Sequence, residues 1–165
     1  MMRIYVSELH SPVGTLHLAS SNQGVACISL SGKEELLKDL ERLFPDMELE
    51  ENASKNNKVI RQLKEYFSGA RKDFDLSLHL IGTEFQKLVW RRLCQVPFGQ
   101  TASYKEIAEK IGKPKAMRAV GQANHRNPIP IVIPCHRIIG ANGHLVGFGG
   151  GLDMKRSLLS HEGVL

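Results

Sequence analysis

Apolar and polar positions alternate through three early runs, RIYVSEL, VGTLHLAS and GVACISL. A two-residue period in β-prone residues predicts three strands. Ser11-Pro12 and Asn22-Gln23-Gly24 mark the turns between them. From residue 33 the period changes. In KEELLKDLERLF, Leu36, Leu37, Leu40, Leu43 and Phe44 share one face of a helix, and Pro45-Asp46 ends it. The polar, acidic stretch from Asp46 to Asn57 predicts a loop. A second helix, Asn57 to Ser68, carries Val59, Ile60, Leu63, Tyr66 and Phe67 on one side and stops at Gly69. The first half therefore reads as a small strand-and-helix domain with a linker, residues 1–82.

Residues 83–165 follow a helical period. Thr83 with Gln86 forms the signature of a capping box, and Phe85, Leu88, Val89, Arg92 and Leu93 follow at helical spacing. Pro97-Phe98-Gly99 breaks that helix. Ser103 with Glu106 predicts a second box, opening a short helix to Ile111 with Ile107, Ala108 and Ile111 inward. Gly112 suits a left-handed stop, and Pro114 suits the first turn of the next helix, Lys115 to Asn124. Two short helices across a glycine turn predict a helix-turn-helix. The fold class expected is α+β: a small N-terminal strand/helix domain, then a mainly helical, winged-helix-like C-terminal domain. In the second of the paired helices Ala116, Ala119, Val120 and Ala123 lie on one face. Arg118, Gly121 and Gln122 lie opposite, with Met117 toward them. Its small side chains suit either close helix packing or close approach to a nucleic-acid backbone.

Charge sharpens this picture. Residues 83–165 hold 12 Lys and Arg against 5 Asp and Glu, a net of +7, whereas residues 1–82 hold 10 against 12, a net of −2. A basic half beside a mildly acidic one points to a polyanionic partner for the C-terminal part. No apolar run approaches the length of a membrane span. The N-terminus lacks the pattern of a secretory signal, so a cytoplasmic location is expected. Three cysteines, Cys27, Cys94 and Cys135, with no CxxC spacing, argue against a disulfide framework or a cysteine-built zinc site.

One of the three stands in a reactive setting. In NPIPIVIPCHRII, three prolines deny residues 127–139 a helix, and Cys135 is followed by His136 and Arg137. Cationic surroundings favour thiolate. A free thiol is only a few per cent ionised at neutral pH, so a nucleophilic cysteine needs a base. His136 can serve if the backbone turns sharply or a water bridges the two, since neighbouring side chains on an extended chain point apart. Glu162, in the closing HEG, is a candidate to set the histidine tautomer.

IPCHR does not stand alone. It follows ASY-x-x-IA, G-x-PKA-x-RAVG and NP, and precedes G-x-L-x-GF-x-GG and K-x-x-LL-x-x-E. This ordered series, from Thr83 to Gly163, resembles the methylated-DNA–protein-cysteine methyltransferases, the 6-O-alkylguanine-DNA alkyltransferases of direct DNA repair. Residues 1–82 match at the level of the SP-x-G-x-L strand opening. The resemblance implies irreversible, single-turnover transfer of an alkyl group from 6-O-alkylguanine, and also 4-O-alkylthymine, in double-stranded DNA to Cys135 after nucleotide flipping. It implies a monomer with no cofactor and no metal.

It also implies roles. Cys135 is the acceptor, His136 its water-mediated base and Glu162 the orienting group. Asn127 braces the reactive turn, and Tyr104 gives a proton to the leaving guanine. Arg118 fills the gap left in the base stack. Ala119, Gly121 and Gln122, with Lys115 and Ser103, make up the DNA contact. Phe148, Gly149, Gly150 and Met117 border the base pocket, and its glycine-rich wall implies room for groups larger than methyl. Two positions depart from some relatives, Phe148 in place of Tyr and Gly149 in place of Ser. A zinc held by Cys27 with His10, His17 and His79 is not suggested by their spacing. Arg137 is open between a structural donor and a DNA contact. Cys27, Cys94 and Trp90 read as packing residues, and Lys155 as a bystander on the last helix. The alternatives are a lesion-binding or redox-sensing regulator without stoichiometric transfer, and a cysteine hydrolase.

Overall fold

The computed structural model describes all residues, Met1–Leu165, and the chain divides into two units, Met1–Ile81 and Gly82–Leu165. In the first, β1 (Met2–Ser11), β2 (Gly14–Ser21) and β3 (Gly24–Ser29) form an antiparallel meander. Helix α1 (Lys33–Leu43) then returns the chain to β4 (Met47–Glu51), parallel to β1, so the sheet order is β3-β2-β1-β4. Alternation along β1 places Ile4 and Val6 against α1, where they join Ala19, Ala26, Cys27, Leu36, Leu40 and Phe44 in a buried cluster. Helix α2 (Asn57–Ser68) buries Val59, Leu63 and Tyr66 and ends at Gly69, whose φ of 86° is the left-handed stop expected there. Asn56 holds the start of α2 to β1, its amide donating to the Tyr5 carbonyl at 3.0 Å.

Strand β4 corrects the loop expected from Asp46 to Asn57. Glutamate is a poor strand former, but context outweighs propensity at a sheet edge. The open edge of β1 supplies a ladder, and Arg3 on β1 pairs with Glu48 at 3.1 Å and Glu50 at 3.5 Å.

The second unit is mainly helical. Helix α3 (Glu84–Leu93) opens on the reciprocal Thr83–Gln86 capping box. Its buried residues are Val89, Trp90 and Leu93, whereas Leu88, expected inward, is 38% exposed. Trp90 sets that rotation, because its indole N–H donates to the Ala123 carbonyl at 2.8 Å, which leaves none of its polar atoms unpaired. A two-residue strand β5 (Ala102–Ser103) leads into α4 (Tyr104–Lys110). The Ser103 hydroxyl accepts from the Glu106 N–H, half of the reciprocal arrangement expected. Gly112, at φ 75°, reverses the chain toward α5 (Met117–His125), which packs on α4 and α3.

Helix α5 starts two residues later than expected. Pro114 lies in the preceding turn, which the Ala116 N–H closes by donating to the Lys113 carbonyl. That shift leaves Val120, Ala123 and Asn124 buried, while Ala119, expected on the apolar face, is exposed beside Arg118. After α5, a 3₁₀ turn at Cys135–Arg137 enters β6 (Ile138–Ile139), which pairs in parallel with β5. Helix α6 (Leu152–His161) completes the unit. No helix is long and apolar enough to cross a membrane.

Candidate active site

The proline-rich segment between α5 and β6 is held by its own polar groups. The Asn127 side chain donates to the Ile133 carbonyl at 2.8 Å and accepts from the Ile129 N–H at 2.9 Å. Ile133 N–H donates to Ile129 and Cys135 N–H to Ile133. Ile131, fully buried, takes φ 73° and is the one residue besides glycine with positive φ. A β-branched residue there is strained, and such strain persists only where surrounding contacts over-determine it. A 3₁₀ turn over Cys135–Arg137 follows, so the backbone bends between Cys135 and His136 instead of running extended.

Cys135 is 6% exposed. Burial pushes its thiol up to about 11, and the Asn127 side chain and the Lys155 charge act in the opposite direction. The cationic neighbours read from sequence therefore do not by themselves make a thiolate. Desolvation outweighs them, which keeps the thiol protonated at neutral pH. His136 is fully buried, and its Nε2 lies 2.7 Å from Glu162 Oε2. A carboxylate only accepts, so Nε2 carries the proton and Nδ1 is left as a lone-pair acceptor. Nδ1 is buried and has no hydrogen-bond partner. Burial holds the imidazole below its ordinary pKa, against the pull of Glu162.

Arg137 belongs to the same buried cluster. Its Nε donates to Glu162 Oε1 at 2.8 Å, Nη2 to Oε2 at 3.0 Å and Nη1 to the Val96 carbonyl at 2.7 Å. This resolves the question left by the sequence in favour of a structural donor. Two donor residues, Arg137 and His136, converge on the one carboxylate and fix its position.

Lys155 corrects the expectation of a bystander. It is fully buried, and its Nζ donates to the carbonyls of Ile138 and Val146. It thereby ties β6 to the loop before α6. Burial holds its pKa below the usual lysine value, while the nearby Cys135 favours its charged form. The signal was present in the sequence, since Lys155, Leu158, Leu159 and Glu162 fall at i, i+3, i+4 and i+7 of one helix face.

Tyr104, at the start of α4, is half-buried. Its phenol is pushed up by burial and by the Cys135 charge, and its ring lies 3.7 Å from where a Cβ at Gly121 would stand. Lys115, Arg118, Ala119 and Gln122 are exposed, as is Met117. Ser103 is instead buried, with its hydroxyl engaged in the cap of α4. Gly149 is exposed, and Phe148 and Gly150 are half-buried in the loop before α6. Cys27 is buried as expected, but Cys94 is exposed at the end of α3. No group of three or more His, Cys, Asp or Glu side chains is placed to hold a metal ion.

Comparison with known proteins meets this geometry. Residues 84–164 match the family description 6-O-methylguanine DNA methyltransferase, DNA binding domain, and residues 4–80 match its ribonuclease-like domain. The methylated-DNA–protein-cysteine methyltransferase of Methanosarcina barkeri is 46% identical over 159 residues, covering 96% of this chain and 97% of its own. The chain belongs to the methylated-DNA–protein-cysteine methyltransferase family. The family's α+β architecture follows in three dimensions. The crystal structure of Mycobacterium tuberculosis O6-methylguanine methyltransferase, 40% identical, superposes with a TM-score of 0.82 over 96% of this chain and 92% of that one. The crystal structure of Mycobacterium tuberculosis OGT in complex with DNA is 38% identical, with a TM-score of 0.81 over 97% of this chain and 92% of that one. A methyltransferase of this family needs one acceptor cysteine. Of the three here, Cys135 alone is followed in the chain by a histidine, and the Nδ1 of that histidine has no hydrogen-bond partner.

Proposed function

We propose that this chain repairs DNA by direct reversal, moving the alkyl group of 6-O-alkylguanine in a duplex onto Cys135, once per molecule, in the cytoplasm and as a monomer. The observation that carries the proposal is His136, next to Cys135 in the chain, with Nε2 fixed on Glu162 and a buried Nδ1 that has no partner. The thiol proton passes to Nδ1, directly or through a water. The sulfur then attacks the alkyl carbon, and the carbon–oxygen bond breaks toward guanine. Tyr104 gives the leaving base a proton and recovers one from the histidine side. In balance, the thiol proton replaces the alkyl group on guanine, and a thioether remains on Cys135. Hydrolysis does not readily reverse a thioether, which makes the reaction single-turnover. The methyl donor is the lesion itself. Lys155 favours the thiolate through its charge and holds the loop of Phe148, Gly149 and Gly150 as one wall of the base pocket. A Cβ at Gly147 or Gly149 would meet nothing within 4 Å, which favours acceptance of groups larger than methyl.

The target carbon lies inside the base stack, so the nucleotide must leave it, at a cost of a few kcal/mol that is lower for a poorly paired base. Helices α4 and α5 form the helix-turn-helix that holds the duplex. The exposed Arg118, Ala119 and Gln122, the small Gly121 and the flanking Lys115 suit close approach of α5 to a groove. Arg118 fills the vacated stack. Arg118→Ala is therefore expected to slow repair in duplex DNA much more than reaction with free 6-O-benzylguanine base, which needs no flipping. Measured rate constants on both substrates check this, and equal losses would remove Arg118 from that role.

The proton path also sets a pH dependence. Neutral His136 is the base, and its pKa lies below the ordinary histidine value. Transfer to Cys135 from the free base should therefore hold through neutral pH. It should fall only as pH drops through the depressed His136 titration. Single-turnover rates against pH test this. A rate that already declines above the usual histidine range would contradict the assignment.

A further inference from the structure

The repair reading places the DNA on α4 and α5 and leaves the N-terminal unit without a role. That unit carries ten Lys and Arg residues among its mildly acidic surroundings. Five of them are paired: Arg3 with Glu48 and Glu50, Lys33 with Glu51, Lys38 with Glu35, Arg42 with Asp39, and Arg71 with Glu65. Lys58, Arg61 and Lys64 on α2 are exposed, and none makes an ion pair or a side-chain hydrogen bond. Lys55, exposed in the turn just before α2, sits over the Tyr5 ring at 5.2 Å and has no carboxylate partner. Neither Glu65 nor Glu8, the acids nearby, pairs with these cations. Glu65 holds Arg71, and Glu8, which lines a groove with Lys64, lies 3.9 Å from His10 and 4.0 Å from His17.

These cations do not serve the helix. Lys58 lies in its first turn, which has no acidic residue, and positive charge there opposes the helix dipole. Steps of three residues rise about 4.5 Å and turn back by about 60°, so Lys58, Arg61 and Lys64 form one slanting row on the outer face. The inner face, Val59, Gln62, Leu63 and Tyr66, is buried. The row has no exposed large apolar residue, so it lacks the apolar centre of a protein interface. A line of unpaired cations without apolar surface suits phosphodiester backbone. Lys115 and Arg118, on the proposed DNA face, are likewise exposed and without an ion pair.

We infer that the outer face of α2 is a second nucleic-acid contact, in which Lys55, Lys58, Arg61 and Lys64 bind phosphates of duplex DNA independently of base sequence. This rests on the DNA-repair reading for its partner. The test is the salt dependence of binding to a long undamaged duplex, for the full chain and for Lys58→Glu/Arg61→Glu/Lys64→Glu, with Lys58→Gln/Arg61→Gln/Lys64→Gln as a milder variant. Each neutralised phosphate contributes about 0.9 to the slope of log affinity against log salt. The variants should flatten that slope by about 2 to 3 and weaken binding at least about tenfold at low salt. Thermal midpoint and reaction with free 6-O-benzylguanine should stay at wild-type values. A wild-type slope in both variants would overturn the inference while leaving the repair reading intact. A wild-type chain without salt-dependent duplex binding would overturn both.

Discussion

Cys135→Ser is expected to abolish alkyl transfer while leaving duplex binding largely intact. The hydroxyl is a far weaker nucleophile than a thiolate, and His136 cannot ionise it sufficiently to attack an alkyl carbon. The side chain is similar in size and buried, so α4 and α5, the proposed DNA contact, keep their packing. The other two cysteines offer no substitute. Burial pushes Cys27 up to about 12, and it lies in the sheet core against α1. Cys94 is exposed at the end of α3, and burial of its sulfur raises its pKa as well. Mass spectrometry after incubation with methylated duplex checks the prediction. Transfer at near wild-type rate, or a label on Cys27 or Cys94, would relocate the acceptor.

Glu162→Ala should damage both stability and rate. The carboxylate joins buried Arg137 to buried His136, and its loss leaves a guanidinium that is 5% exposed without its counter-charge. Breaking a buried ion pair from one side costs about 3–5 kcal/mol, so the thermal midpoint should fall by many degrees. The released imidazole loses its tautomer, and transfer should slow by about 10²–10⁴, the usual worth of a positioned acid–base group. The double substitution Arg137→Met/Glu162→Met separates the two effects. Removing both charges should recover much of the stability but not the rate. Recovery of both would reduce the cluster to a structural role.

Local signals carried most of this fold. Period-two and helical patterns placed β1, β2, β3, α1 and α2, and Thr83–Gln86 and Gly112 marked helix boundaries through bonds that lie within a few residues. What was hidden depended on partners distant in sequence. Strand β4 exists because β1 offers an edge 45 residues away, with Arg3 facing Glu48. Leu88 looked like core because its spacing fits the helix, but the Trp90 bond to Ala123 fixes a different rotation.

The site divides in the same way. Cys135, His136 and Asn127 were legible as neighbours in one proline-rich segment. Glu162 was suggested by its residue type, and the structure places its carboxylate on His136 across 26 positions. Arg137 could not be assigned from sequence, because nothing local shows which carboxylate it meets. Lys155 was legible but overridden by the usual preference of lysine for solvent. Its place on the buried stripe of α6 outweighed that preference, since two backbone carbonyls accept from its ammonium group.

The most direct measurement is the fate of a labelled methyl group in duplex DNA carrying 6-O-methylguanine, with lesion in excess over protein. The account predicts that label leaves the DNA only up to one methyl per protein molecule, and that all of it is recovered as S-methylcysteine at position 135. Turnover beyond one equivalent, release of the label as a small molecule, or an unlabelled protein bound to intact lesion would contradict it.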